Sequence, residues 1–516
     1  MFRALVPTVA LLFSATLQVQ PAAAQSGVDL VRQAVEAQGG AAAVGAAKTT
    51  IIKGEAKHWE PGQSYAATGE PRFIGDSAFT QTVDNTTRTV RIDWDRDLKY
   101  PAVERVKFSE ITAPNFGVAI DDKGVERAMS GIRHASLLRE RNRVSPRLLL
   151  RALQDPQSIS AMPDQQAGDR SLPAVSIKSG GTTYIVLFDR TTKLPAVVRT
   201  RDDDAVYGDS NYDVILSDWK DVGGAKRAHS LSYRLNGIEV QRITLKEVTV
   251  DAPIAANTLA VSDSFKLAAS AAATQGVPYQ WVLRRMFLGR FLDSDKVYFP
   301  PDGGFKLVAL APNVQHVQGG SANNLIVAMK DGLVVFDAPV DEGQSRWVID
   351  AAKAKYPGKP IKQLVLTHHH MDHTGGARTF VAEGAAVVVP AQARPFVEKM
   401  IQAPHTIVAD SLQKQPRPAN IVDVKDTLSL KDETVEINLH NIPNPHSDGM
   451  IIAHVVGPNL VYVTDLLSPR GQIARTGGTA AVGDALRKAN ITNATIVGGH
   501  GTTAKQADIG AALAAN

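Results

Sequence analysis

The stretch Thr367-His368-His369-His370-Met371-Asp372-His373-Thr374-Gly375-Gly376 decides how this chain is read. It sets four histidines and an aspartate around the spacing H-x-H-x-D-H, directly behind the apolar run Ile361, Leu364, Val365 and Leu366, which predicts a buried strand. The motif therefore falls where a strand's C-terminal end opens into a loop, the edge at which open α/β layers hold their ligands. In such a loop His368 and His370 can point toward one metal, while Asp372 and His373 follow the turn toward a second. Imidazole and carboxylate are the donors that borderline cations such as zinc accept. Gly375 and Gly376 permit a tight passage into a following helix.

Three further candidates lie downstream, each at or just after the end of an apolar run. His446 sits in the turn-rich Ile442-Pro443-Asn444-Pro445-His446-Ser447-Asp448-Gly449, after the strand-like Val435 to Leu439. Asp465 closes the strand Leu460-Val461-Tyr462-Val463-Thr464, where a buried carboxylate is costly unless a cation meets it. His500 follows Ile496-Val497-Gly498-Gly499 and precedes Gly501.

This order of strand-end residues resembles the metallo-β-lactamase-fold superfamily over roughly residues 305–516. Asn324 to Val327 and Leu333 to Pro339 look like the first hairpin of that fold, with Asp337 at its early aspartate. The resemblance implies an α+β chain whose C-terminal part is a four-layer αβ/βα sandwich, with metals in a groove at one edge of the two sheets. Carried over residue by residue, His368, His370 and His446 hold one zinc, Asp372, His373 and His500 a second, and Asp465 bridges them. Two metals about 3.5–4 Å apart share a hydroxide that is available near neutral pH, because bound water falls to a pKa of roughly 7. Asp372 is the catalytic candidate, able to shuttle a proton. His369 and Met371 fill the variable positions. Asp337 reads as a structural hydrogen-bond acceptor, and His405 as a surface-loop histidine. His440 and His454 read as satisfied by hydrogen bonds, and His58, His134, His229 and His316 as structural.

At 516 residues the chain exceeds one ordinary domain. Residues 1–24 read as a signal peptide: Arg3, an apolar stretch from Ala4 to Leu17, and Ala22-Ala23-Ala24 before Gln25. The run is too short for a permanent membrane span, and the expectation is a periplasmic or secreted bacterial protein. The chain has no cysteine, which excludes disulfides and the cysteine-containing second site of some β-lactamases of this fold. The net charge of +4 rests on 56 basic against 52 acidic residues, with no long basic run, so nucleic acid is not the expected partner. A small-molecule substrate is expected, and an oligomer is left open.

Residues 26–290 predict a β-rich N-terminal domain. Val28 to Gly40 and Pro146 to Leu153 read as helices. Segments 183–188, 196–199, 214–216, 231–234 and 240–250 read as antiparallel strands with turns at Lys193-Leu194-Pro195 and Asp221-Val222-Gly223-Gly224. This rhythm is similar to the curved-sheet domains of periplasmic lipoprotein carriers, and the domain is expected either to pack beside the catalytic groove or help present substrate, or to be purely structural or dimerising. The aromatic cluster between Tyr279 and Pro301 reads as an interdomain connector.

Three functions compete. The first is an exported dinuclear zinc hydrolase acting on an ester, lactone, amide or β-lactam bond. The others are a mononuclear iron dioxygenase of the same fold and a periplasmic binding protein for an apolar ligand. Di-iron relatives usually carry glutamate where His370 stands, and the complete ligand set argues against a mere binder. Resistance-type β-lactamases of this fold are usually single-domain and shorter. Arg470, just past Asp465, would suit a substrate carboxylate or sulfate.

Overall fold

The computed structural model describes residues 26–129, 131–263, 266 and 304–515. The expected leader at 1–24 and the aromatic connector between Tyr279 and Pro301 lie outside the described residues. Among those described, no helix is long and apolar enough to cross a membrane.

Residues 49–250 form one thirteen-stranded antiparallel sheet built from two meanders. The first holds β1 (Thr49–Glu60), β2 (Arg72–Asp84), β3 (Thr89–Leu98), β4 (Glu104–Ala113), β5 (Phe116–Asp121) and β6 (Glu126–Ala128). The second holds β7 (Ile159–Ala167), β8 (Arg170–Ser179), β9 (Thr182–Phe188), β10 (Pro195–Asp204), β11 (Gly208–Val222), β12 (Ala225–Leu235) and β13 (Ile238–Val250). They join where β1 pairs with β13. Turn chemistry sets the second meander: Gly223-Gly224 and Asn236-Gly237 each link strands through two residues of positive φ, which glycine and asparagine adopt readily. The helix Gly27–Ala37, started by Ser26 accepting from the Asp29 amide, buries Val31, Ala34 and Val35 against Leu148, Leu149 and the face of β8 and β9.

The β-rich expectation holds, but the helix Gly131–Arg143 was not anticipated. It lacks an apolar stripe because its inward face is charged: Arg133 pairs with Glu110 at 3.1 Å and Arg143 with Glu140 at 3.0 Å, all buried.

Beyond residue 304 the chain makes two more sheets. The seven-stranded one runs in order β14 (Lys306–Ala311), β15 (Val314–Gln318), β16 (Asn324–Ala328), β17 (Leu333–Phe336), β18 (Ile361–Val365), β19 (Ala386–Pro390) and β20 (Ile421–Val424), parallel from β17 onward. The six-stranded one holds β21 (Thr427–Lys431), β22 (Glu436–Asn441), β23 (Ile451–Val455), β24 (Leu460–Val463), β25 (Thr495–Gly498) and β26 (Thr503–Lys505).

Period-two alternation sorts the side chains between layers. On β17, Val334 and Phe336 face the second sheet, while Leu333 and Val335 face the helices Glu342–Lys355 and Ala377–Ala382. Phe336 meets Tyr462 across the sandwich with ring centres 5.6 Å apart. The other sheet buries Ile452, Val461, Val463 and Ile496 under the helices Gly477–Lys488 and Gln506–Ala514. Helices, sheet, sheet, helices is the expected αβ/βα sandwich. Burial on both faces explains why β17 and the C-terminal half of β18 read as apolar runs instead of alternating ones.

Candidate metal centre

The C-terminal ends of β17, β18, β24 and β25 open on one edge of the sandwich, joined by the loop after β22. That edge gathers all seven candidate ligands. His368, His370, His446 and Asp465 offer donor atoms within 4.8 Å of one another, and so do Asp372, His373, Asp465 and His500. Asp465 belongs to both groups. Its Oδ2 lies 3.2 Å from His368 Nε2 and 3.0 Å from His446 Nε2, while Oδ1 lies 2.7 Å from His500 Nε2 and 3.4 Å from His373 Nε2. Asp372 Oδ2 lies 3.7 Å from His373 Nε2 and 3.9 Å from His500 Nε2. Asp337 and Asp465 both adopt left-handed backbone, φ 61° and 47°, which aims each carboxylate off its strand end at a cost of about 1–3 kcal/mol that the surrounding packing must bear.

Hydrogen-bond partners fix which ring nitrogen of three histidines faces the other candidate ligands. Asp337 is the buried acceptor expected of it. Its Oδ1 takes the Thr367 amide and hydroxyl, each at 2.8 Å, and its Oδ2 takes His373 Nδ1 at 2.9 Å. The Thr367 hydroxyl, donating to Asp337, can only accept from His368 Nδ1 at 3.1 Å. Both rings therefore spend their Nδ1 proton on these outer partners and turn Nε2 inward, toward the other candidate ligands. His370 is the reverse: its Nε2 donates to the Ser64 carbonyl at 2.9 Å, leaving Nδ1 bare, 2.8 Å from His446 Nε2.

Electrostatics favour a cation here. Burial first, and neighbouring imidazoles second, hold His368 and His370 well below the ordinary histidine value, so both are neutral and able to ligate. Burial also opposes charge on His373, yet Asp465, Asp337 and Asp372 outweigh it and hold that ring well above its usual value. Burial likewise works against the Asp465 carboxylate, but His373, His500 and His446 keep it well below the carboxylate range. His368 Nε2 is fully buried and makes no hydrogen bond. An orphaned lone pair facing a shared carboxylate is what a metal ligand looks like without its metal, and this nitrogen and oxygen donor set suits zinc.

The β-rich domain packs beside this groove, one of the two roles its sequence suggests, but the residues that reach the edge are not marked in the sequence. After β1, the turn Pro61–Gln63 carries Gln63 Nε2 to 2.8 Å from Asp372 Oδ1 and the Ser64 carbonyl to 2.9 Å from both His369 Nε2 and His370 Nε2. Tyr65 accepts the Asp448 amide on its carbonyl, Arg72 donates to the His446 carbonyl at 2.7 Å, and the Tyr100 ring lies 6.3 Å from that of His446. Nothing local marks these residues; their role exists only through contacts spanning some three hundred positions.

Two other expectations change. His405 is buried, not on the surface, with Nδ1 2.8 Å from Asp203 Oδ1 on the thirteen-stranded sheet. Gly375 and Gly376 have ordinary negative φ, so freedom of backbone is not why they are glycine. A Cβ at Gly375 would stand 2.0 Å from the Val340 carbonyl oxygen, and one at Gly376 1.8 Å from Ser345 Oγ. His316 is structural as expected, its Nε2 3.0 Å from the Gly498 carbonyl.

The family model described as "Metallo-beta-lactamase superfamily" matches residues 317–500. A linear primary-alkylsulfatase of Pseudomonas sp is 36% identical over 62 residues, 12% of this chain and 9% of that protein. An (R)-specific secondary-alkylsulfatase of Pseudomonas sp is 35% identical over 78 residues, 15% of this chain and 12% of that protein. These matches span about a tenth of the length of the relatives. Among solved structures, a metallo-β-lactamase from Hirschia baltica is 18% identical and covers 41% of this chain and 96% of that one, with a TM-score of 0.32. The metallo-β-lactamase FIM-1 from Pseudomonas aeruginosa, in its mono-zinc form, is 18% identical and covers 42% of this chain and 95% of that one, with a TM-score of 0.33.

Proposed function

We propose that the protein, whose residues 317–500 match the metallo-β-lactamase superfamily, is an exported dinuclear zinc hydrolase cleaving an ester-type bond of a small molecule. The observation that carries this reading is the convergence of five imidazoles and two carboxylates into two groups that share Asp465. Zinc held by His368, His370 and His446, and by Asp372, His373 and His500, with Asp465 common to both, would supply a water-derived nucleophile near neutral pH.

The chain's own residues supply the rest. His368, His370 and His373 are fully buried, whereas the side chains of His446, Asp372 and His500 retain 14%, 19% and 22% exposure. Substrate therefore approaches from the Asp372 and His500 side. Asp372 stands where it can pass the proton of the attacking water to the departing oxygen. Arg470, exposed with its stem against Gly501, lies beside His500 and can meet an anionic group on the substrate. The alkylsulfatase relatives make a sulfate ester the first compound to try, beside carboxylic esters, lactones, amides and β-lactams. The apolar start and Ala22-Ala23-Ala24 support export.

The test is zinc content by plasma mass spectrometry together with hydrolysis of p-nitrophenyl sulfate, p-nitrophenyl esters, lactones and nitrocefin. Two zinc ions per chain, and turnover lost by at least ~100-fold in Asp372→Ala, are expected, since the substitution removes both a ligand and a proton carrier. One iron per chain with no hydrolysis would replace this reading with oxygen chemistry at the same ligands.

A further inference from the structure

The turn after β1 does more than wall the groove. Gln63 and Ser64 are 6% and 1% exposed, and each bonds the outward-facing atom of a candidate ligand: Asp372 Oδ1 for Gln63, His370 Nε2 for Ser64. The direction of the Gln63 amide follows from chemistry. A carboxylate only accepts, so the NH2 end must face Asp372, and Oε1 is left to accept the Tyr100 hydroxyl at 2.6 Å. Arg72 fixes the other end of the residue by donating from Nε to the Gln63 carbonyl, while its guanidinium lies over the Tyr100 ring at 4.5 Å. Glu60 caps the turn by accepting the Gly62 amide at 2.7 Å. Gln63 is thus held at its carbonyl, its Oε1 and its Nε2, and Asp372 has one oxygen committed and the other free toward His373 and His500.

We infer that Gln63 is a positioning residue for Asp372, anchored by Tyr100, and that the 61–64 turn of the thirteen-stranded sheet is part of the metal centre itself. This rests on the two-zinc reading above. An ordinary docking contact would be indifferent to which atoms it met. This turn takes the one carboxylate oxygen and the one ring nitrogen that the two ligands do not turn inward. Removing the Gln63 amide frees the Asp372 carboxylate to rotate or to hydrate, which weakens the ion it helps to hold and leaves the His368, His370 and His446 group unaffected.

The experiment is a titration of the metal-free full chain with zinc against a chromogenic chelator, for wild type, Gln63→Met and Tyr100→Phe, with circular dichroism to confirm folding. Methionine keeps the side-chain length and removes the donor. Wild type is expected to take up two zinc ions in resolvable steps. In Gln63→Met one step should weaken about 10–100-fold while the other holds, the range typical for loss of a group that orients a ligand. Tyr100→Phe should weaken the same step by less. If both steps in Gln63→Met match wild type, or both weaken equally, the inference is overturned while the two-zinc reading stands. A wild type that binds fewer than two zinc ions overturns both. Should Gln63→Met fail to fold, Tyr100→Phe decides by the same criterion: unequal loss supports the inference, and equal or no loss overturns it.

Discussion

His316 and His373 are both fully buried imidazoles near the same sandwich edge, and their neighbours send them in opposite directions. His373 is surrounded by carboxylates, whereas His316 meets only neutral groups, the Gly498 carbonyl and the Gln318 amide, and burial pushes it down to about 4. With its folded value below the unfolded value of about 6.5, the unfolded chain takes up this proton first as pH falls. The stability His316 contributes is therefore complete above that value and is lost between roughly pH 6.5 and 4, by an amount on the order of 3 kcal/mol. Urea midpoints at pH 7 and 4.5 should show a shallower acid loss in His316→Gln than in wild type; parallel losses would refute the assignment. The residue scale is also where the sequence reads most clearly. His368, His370, Asp372 and His373 stand within six positions, and His446, Asp465 and His500 each follow an apolar run, so a local pattern marks them all. Gln63, Ser64 and Tyr100 follow no such pattern, and His405 owes its burial to a partner some two hundred positions upstream, so no local pattern marks these.

Among the elements, those whose sides face one kind of neighbour were legible. β17, the C-terminal half of β18 and β24 are buried on both faces and read as apolar runs, and hairpins of the second meander carry glycine and asparagine where both turn residues need positive φ. The helix Gly131–Arg143 was hidden because it packs through buried arginine and glutamate, which removes the apolar period that would have revealed it. The passage from the motif into the helix Ala377–Ala382 was read correctly as glycine-dependent but for the wrong cause: contact distance, not φ, excludes a side chain. Gly376→Ala should consequently destabilise by about 1–3 kcal/mol, because the methyl group forces Ser345 and the backbone apart. Chemical denaturation measures this directly, and an unchanged midpoint would overturn the argument from contact distance.

At the scale of the whole molecule, the pairing of β1 with β13 spans the full length of the first sheet, a distance at which sequence rhythm gives no register. The same holds for its docking on the sandwich. Besides the 61–64 turn, the sheet grips the loop after the helix Arg394–Gln402: Asp209 accepts the Thr406 and Ile407 amides at 2.8 and 2.9 Å, and its own amide donates to the Pro404 carbonyl at 2.7 Å. Asp209→Ala should lower stability by about 2 kcal/mol through the lost side-chain bonds, read as a lower melting temperature of the full chain. A wild-type melting curve for this variant would mean the grip is idle. The metal centre draws on residues from Gln63 to His500, nearly the whole span of the chain, and three separate sheets supply its parts. Every candidate ligand nevertheless lies between His368 and His500, so on the proposed reading a complete ligand set exists only once the C-terminal sandwich has been made, and tight metal uptake would report that its two sheets have found each other.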